Sequence, residues 1–428
     1  ARGPRTEAAV SPTHRADRDS AGDPAGSPAG PLAGVRVLDI ASTFAGPYAT
    51  LLLADLGAEV IKVEPPGGDV TRHLGDSREP GMASVYAACN RNKASVVLDL
   101  KDPADAATLR GLVRAADCLV HNHRAGPAAR LGIDADTALA LNPRLVHAVV
   151  TGFGSGGPMA GRPAYDDVIQ ARSGLAWLQG LHSGEPGYVA SSIADKVAGL
   201  FAAHAITGAL YERERTGQGQ SVEIPMFESL AGFMLLEQWG GRAFVPPAGP
   251  TGYRRIRSPY RRPYRTADGR LSVVVYHEGH WRRFLDAVGH AHVLDDERFR
   301  TPAARNRNVD QLYLILDGIM AQRTTEEWLT LLERIDIPAE RVQSLDDLFD
   351  DEHLAAVDFF QEVPGTEDGT YLAARSALRF GRTPPAEPRD LPGPDRLDGG
   401  ADTARRWLGA LAQAEVEAPG PSARTTGR

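Results

Sequence analysis

Two cysteines, Cys89 and Cys118, are all that the 428 residues contain, and they form neither a C-x-x-C pair nor a metal-ligand spacing. That argues against a disulfide framework and makes a reducing cytoplasm the default compartment. No uninterrupted run of about 18 apolar residues is present, so no membrane-spanning helix is expected. Positive charge is not in excess either. With 47 Lys and Arg against 55 Asp and Glu, the net charge of −8 argues against general nucleic-acid affinity. The first thirty residues are rich in Arg, Pro, Ala and charge and lack the apolar core of a signal peptide. They and the closing "AEVEAPGPSARTTGR" read as disordered tails.

What is present is alternation. Val35 to Ile40 is a short apolar strand, "GPYATLLLADLGA" has helical leucine spacing, and "EVIKVE" is a second strand. The theme continues through "ASVVLDL", "PADAATLRGLVRAA", "DCLVHNH", "DADTALALN" and "RLVHAVVTGFG". Such βαβ repetition predicts an α/β fold, a Rossmann-like open parallel sheet whose ligands sit beyond the carboxyl ends of its strands. Expected boundaries are a tail over 1–30, a large domain over 31–217 and a small α+β domain over 218–336. A return to the large domain over 337–400 and a C-terminal helix with a tail over 401–428 complete the chain.

Gly152, Gly154 and Gly157 satisfy G-x-G-x-x-G directly after a strand. A phosphate cradle needs a helix opening at the third glycine. Here "PMAGRP" follows, so a turn-rich loop is the better reading.

Asp195 stands alone as the carboxylate of "SSIADKVAGLFAAHAITGAL", at the head of a helix of small and apolar residues. It is either a helix-start carboxylate answering unpaired N–H groups, a role Ser191 or Ser192 could share, or a functional group. Tyr165, Asp166 and Gln170 lie upstream at another helix start, and spacing alone leaves both readings open. His204, deeper in the Asp195 helix, is expected to be a packed core histidine.

"PLAGVRVLDIASTFAGPYATLLLADLGAEVIKVEPPGGD", "NRNKASVVLDLK", "AYDDVIQARSGL" and "IADKVAGLFAAHAITGALYERERTGQGQSVEIPMFE" together resemble the class III CoA-transferases, a family that includes the 2-methylacyl-CoA racemases. The resemblance covers about residues 31–395. It implies an interlocked homodimer acting on CoA thioesters and a carboxylic acid, with no metal, no permanently bound cofactor, no nucleic acid and no membrane partner. It places Asp195 at the family's nucleophile. A desolvated carboxylate there suits the chemistry, and the helix N-terminus is expected to lower its pKa. Asp166, 29 residues ahead, falls where formyl-CoA transferases carry a supporting glutamate. By the same resemblance Phe44, Ala45, Leu98, Asn122 and Arg130 match CoA contacts, and Arg72 and Lys93 are nearby basic candidates.

Racemisation needs a proton removed from one face and delivered to the other, normally by His and Asp. The racemase motif Gly-His-Asp reads Ala164-Tyr165-Asp166 here, which favours transfer. A catalytically silent CoA-binding paralogue is the other alternative. Phe44 replaces a glutamine of the formyl-CoA enzymes, Pro163 replaces a lysine beside Arg162, and the tetraglycine lid is not evident. In that region stands "GYRRIRSPYRRPYR". Its arginines are expected either to bridge a subunit interface or to bind a second carboxylate, which would make succinyl-CoA a candidate donor.

Overall fold

The computed structural model of the protein describes residues 30–78, 80–364, 370–388 and 400–417. The two expected tails lie outside these residues, apart from Gly30 and the C-terminal helix. Strands β1 (Arg36–Asp39), β2 (Glu59–Glu64), β3 (Lys93–Val97), β4 (Cys118–His121), β5 (Val146–Thr151) and β6 (Gln220–Pro225) form one sheet. Its order is β3-β2-β1-β4-β5-β6 and every pairing is parallel. Helices cover both faces, so the central strands are buried twice over and are mostly apolar, with Asp39 on β1 and Lys62 on β2 as buried charged exceptions.

These helices are α1 (Ala45–Asp55), α2 (Ser84–Asn90), α3 (Pro103–Ala115), α4 (Ala125–Leu131), α5 (Ala135–Leu141), α6 (Asp166–Ser173), α7 (Leu175–Ser183), α8 (Ile193–Thr216) and α9 (Met226–Gln238). Neighbouring residues on β1 divide the core. Val37 joins Leu53, Val120, Ala198 and Ile206 on one face, and Leu38 joins Ile61, Leu112 and Leu119 on the other. Helix α8, 24 residues long, is apolar enough by length and composition to cross a bilayer, although it holds no unbroken apolar run of that length. Half of its apolar window is buried in the core beside α1.

β6 pairs with β5 in the large sheet, so the first unit extends past the boundary expected at residue 217. After α10 (Arg254–Arg257), strands β7 (Tyr264–Arg265) and β8 (Arg270–Val273) begin an antiparallel sheet. Helices α11 (Glu278–Ala287), α12 (Pro302–Arg307), α13 (Val309–Met320) and α14 (Thr325–Arg334) follow, and β9 (Ala339–Arg341) closes that sheet beside β8. This second unit has its own core around Phe284, Leu312, Trp328 and Leu332. It therefore continues beyond residue 336, where a return to the first domain was expected.

Helix α15 (Glu352–Ala356) and the hairpin β10 (Phe360–Pro364) and β11 (Thr370–Ala374) come next. Helix α16 (Ala401–Glu417) then packs back on the large sheet. Its Trp407 is buried and donates to Glu59 Oε2 at 2.7 Å, while the Gly400 N–H donates to Ser95 O at 2.7 Å on the edge strand β3.

Candidate active site

From β1 the chain crosses to β2, and from β4 to β5, so the loops after β1 and β4 diverge and leave a crevice between them. Asn122 ties the two loops together. Its side-chain oxygen accepts from the Ser42 N–H at 3.1 Å and its nitrogen donates to Ser42 O at 2.8 Å. Beneath them lies a buried charge cluster. Asp39 accepts from the Ala41 N–H at 2.9 Å, Thr50 Oγ1 at 2.6 Å and Lys93 Nζ at 3.0 Å. Lys93 also donates to Pro47 O and Asn90 Oδ1, both at 2.8 Å, while Lys62 donates to Ala41 O at 2.8 Å and pairs with Asp69 at 3.1 Å. Burial opposes the charge on Asp39, but Lys93 and Lys62 prevail and hold its carboxyl below the ordinary value. In the loop above them Thr43 has φ 72°, a left-handed conformation rare for a β-branched residue.

Asp195 is the third residue of α8, and Ser192 at the cap makes no side-chain capping bond. The cap comes from elsewhere in the chain. Asp166 Oδ1 accepts from the Ala194 N–H at 2.7 Å and the Asp195 N–H at 3.1 Å. Gln170 holds Asp166 in place, donating to Oδ2 at 2.5 Å and accepting from the Val189 N–H at 2.9 Å. Asp166 thus takes the helix donors that were expected to lower the Asp195 pKa, and adds a negative charge beside it. The Asp195 carboxyl is pushed up to about 7, by burial first and Asp166 second, with a hydrogen bond from the Ala45 backbone acting the other way. That is a correction to the sequence-based expectation.

Close approach of α8 to α1 makes the Ala45 contact available. A Cβ on Gly199 would come within 2.7 Å of the Tyr48 ring and 3.0 Å of Ala45 O. Gly199→Val is expected to destabilise the protein by about 1–3 kcal/mol through overpacking and to lower kcat with it. Thermal melts and rate measurements on the variant check this.

Asp195 opens into a cavity of about 610 Å³ lined by Thr43, Phe44, Ala45, Asn122 and Tyr165, with Arg124 and Arg162 as its cations. His121, His123 and His147 also line it. His121 Nε2 lies 3.1 Å from His147 Nε2. Burial and the neighbouring His147 pull His121 down to about 3, and burial lowers His123 and His147 as well. Burial therefore favours the neutral form of all three imidazoles.

Of the residues matched by resemblance, Asp195, Phe44, Ala45 and Asn122 meet in this cavity. Asp166 stands immediately behind Asp195. Arg72 does not face it. Its guanidinium is buried against Glu64, with Nε and Nη2 each 2.7 Å from the carboxylate, and it lies 3.8 Å from the centre of the Tyr86 ring. Lys93 is one of the braces described above. The Leu98 side chain belongs to the apolar core, and Arg130 lies on the exposed side of α4, outside the cavity lining. His204 is exposed rather than packed, because it sits on the side of α8 turned away from the core. The expectation that "GFGSGG" is no phosphate cradle finds a physical reason. Its Gly154 and Ser155 N–H groups donate to Glu228 and Glu223 at 3.0 and 2.9 Å, so carboxylates of the protein already occupy them.

Over residues 32–396 the chain matches the family described as CoA-transferase family III. It belongs to that family. It is 33% identical over 366 residues to a succinate–glutarate CoA-transferase of Agrobacterium fabrum, covering 83% of this chain and 90% of the relative. It is 36% identical over 318 residues to an acetyl-CoA:oxalate CoA-transferase of Acetobacter aceti, covering 72% and 79%. Among solved structures, a CAIB/BAIF family protein from Brucella suis superposes with a TM-score of 0.75 at 29% identity, over 89% of this chain and all of that one. The α/β fold with its six-stranded parallel sheet is thus shared with solved members of the family.

Proposed function

We propose that this enzyme moves CoA from an acyl-CoA donor to a carboxylic acid acceptor, with Asp195 as nucleophile and Asp166 as its support. The observation that carries the reading is a half-buried carboxylate lining a cavity of about 610 Å³, with Asp166 behind it and burial pushing it up to about 7. An Asp195 oxygen attacks the thioester carbonyl carbon, the C–S bond breaks, and CoA leaves as thiolate, giving a mixed anhydride. The thiolate then attacks the aspartyl carbonyl and releases the donor acid. Attack by the acceptor carboxylate on this aspartyl thioester gives a second anhydride and frees the thiolate again. Its attack on the acceptor carbonyl yields the new acyl-CoA and regenerates Asp195. Raised pKa and shielding from water favour both nucleophilicity and survival of the anhydride.

Relatives named for succinate, glutarate and oxalate support a dicarboxylic acid on at least one side of the reaction, succinyl-CoA being the donor to try first. Tyr165, a cavity residue that stands where the racemase motif has histidine, favours transfer over racemisation, which needs a competent base on each face. A homodimer is part of the proposal. Leu200 and Phe201 on α8 and Phe233 and Leu236 on α9 are exposed, as a second chain would require.

The test is transfer of CoA from succinyl-CoA to glutarate, run beside α-deuterium uptake by a 2-methylacyl-CoA in heavy water. Transfer without uptake is expected, and uptake without transfer would identify a racemase. The pH profile gives a second check. Because Asp195 must be ionised to attack, kcat/KM for the donor is expected to rise with pH through about 7. Asp166→Asn, which removes the neighbouring charge, is expected to move that midpoint to lower pH. A profile flat from pH 5.5 to 8.5 would contradict this assignment.

A further inference from the structure

The arginine-rich segment that follows α9 folds into a pocket of its own. Arg255, Arg261 and Arg262 line a cavity of about 160 Å³ floored by Val273, Val275 and Leu316, with Tyr264 and Tyr313 in its wall. It shares no lining residue with the Asp195 cavity. The two tyrosines are buried, with ring centres 6.5 Å apart in an edge-to-face pair. Arg255 lies 4.9 Å from the centre of the Tyr276 ring, a cation–π contact at the pocket's edge.

The charges do not balance. Arg262 reaches Asp317 at 3.4 Å, which is one carboxylate for three guanidinium groups. Among the described residues, neither Arg255 nor Arg261 has a carboxylate partner. Gathering like charges around one small concavity is unfavourable unless an anion sits among them. Size narrows the occupant. About 160 Å³ is the share of roughly five waters, too small for a nucleotide and adequate for a compact acid. Guanidinium forks match carboxylate geometry, the tyrosine hydroxyls can add donors, and the apolar floor suits a short methylene chain.

We propose that this pocket is a second anion site, which takes a carboxylate of a small organic acid through Arg255, Arg261 and Arg262. It stands on its own lining residues and does not depend on the assignment of Asp195.

Arginine-specific labelling of the full-length protein with phenylglyoxal, read by peptide mass spectrometry, tests it. Glutarate, inorganic phosphate, CoA and the neutral diamide of glutaric acid are compared as protectants. At ten times its Kd, glutarate is expected to slow labelling of Arg261 about tenfold by mass action, and the diamide not at all. Equal protection by phosphate would support the site as a general oxyanion receptor, and weaker protection would support selectivity for the acid. Protection by CoA alone, by the diamide as well, or by none of them would overturn the proposal. Arg255→Gln should remove the glutarate protection of Arg261, and the wild-type comparison decides the matter if that variant does not fold. An Asp195 adduct measured in the same samples keeps the two readings apart, since either can fail while the other stands.

Discussion

Asp195→Asn is expected to lower the transfer rate at least ~10³-fold, because it removes the group that forms the covalent intermediates. The same substitution is expected to make the protein more stable at pH 8. Folding raises the Asp195 pKa from its ordinary 3.8 to about 7, so the folded protein holds a proton there that the unfolded chain gives up. Stability from this site is therefore highest below pH 4. It falls as pH rises towards 7, by at most about 4 kcal/mol for a shift of some three units. Asparagine has the same shape, no charge to strand, and no such pH dependence. Melting temperatures of the two proteins should differ little at pH 4.5 and far more at pH 8, with the variant higher, since most of the penalty develops between those values. Coincidence at both pH values would show that the carboxylate is not strained by its surroundings. The expected trade of stability for reactivity is characteristic of functional sites.

The second large effect lies under the site. Lys93→Met is expected to destabilise the protein by about 3–5 kcal/mol, because it leaves Asp39 buried without its closest cation. Lys93 and Asp39 side chains are both fully buried, and Lys93 also donates to Pro47 O, inside the first turn of α1. Losing it should loosen the loop that holds Thr43, Phe44 and the Ala45 N–H, so transfer should slow even at temperatures where the variant is folded. Asp39→Asn combined with Lys93→Met should recover part of the lost stability, since the stranded charge is gone. Urea titrations of the three proteins decide this. A single variant within about 1 kcal/mol of wild type would mean that Lys62 alone suffices to hold Asp39.

Much of the α/β sheet was legible because strands buried on both faces are short apolar runs, and the helices between them carry their own period. The placement of β6 was not legible. Its residues alternate like a half-buried strand, and nothing local says that it adds to β5 at the sheet edge. At the site, Asp195 was conspicuous as one carboxylate heading a small-residue helix. Its cap was hidden, because Asp166 lies 29 residues away and only the fold brings the two together. Arg72 and Lys93 were misread for a related reason. Their partners Glu64 and Asp39 sit on other strands, and a basic residue near a motif does not disclose whether it faces solvent or a buried carboxylate. The cavity histidines carried a weak signal, with His121 ending β4, His123 just beyond it and His147 within β5, but not the lowering of their pKa values, which is a consequence of burial.

The most direct measurement is to add hydroxylamine during turnover with succinyl-CoA and map the trapped carboxylate by peptide mass. The account predicts a hydroxamate on Asp195 in the wild-type protein and none in Asp195→Asn. A hydroxamate on another residue, or CoA transfer that proceeds with Asp195 unmodified, would contradict it.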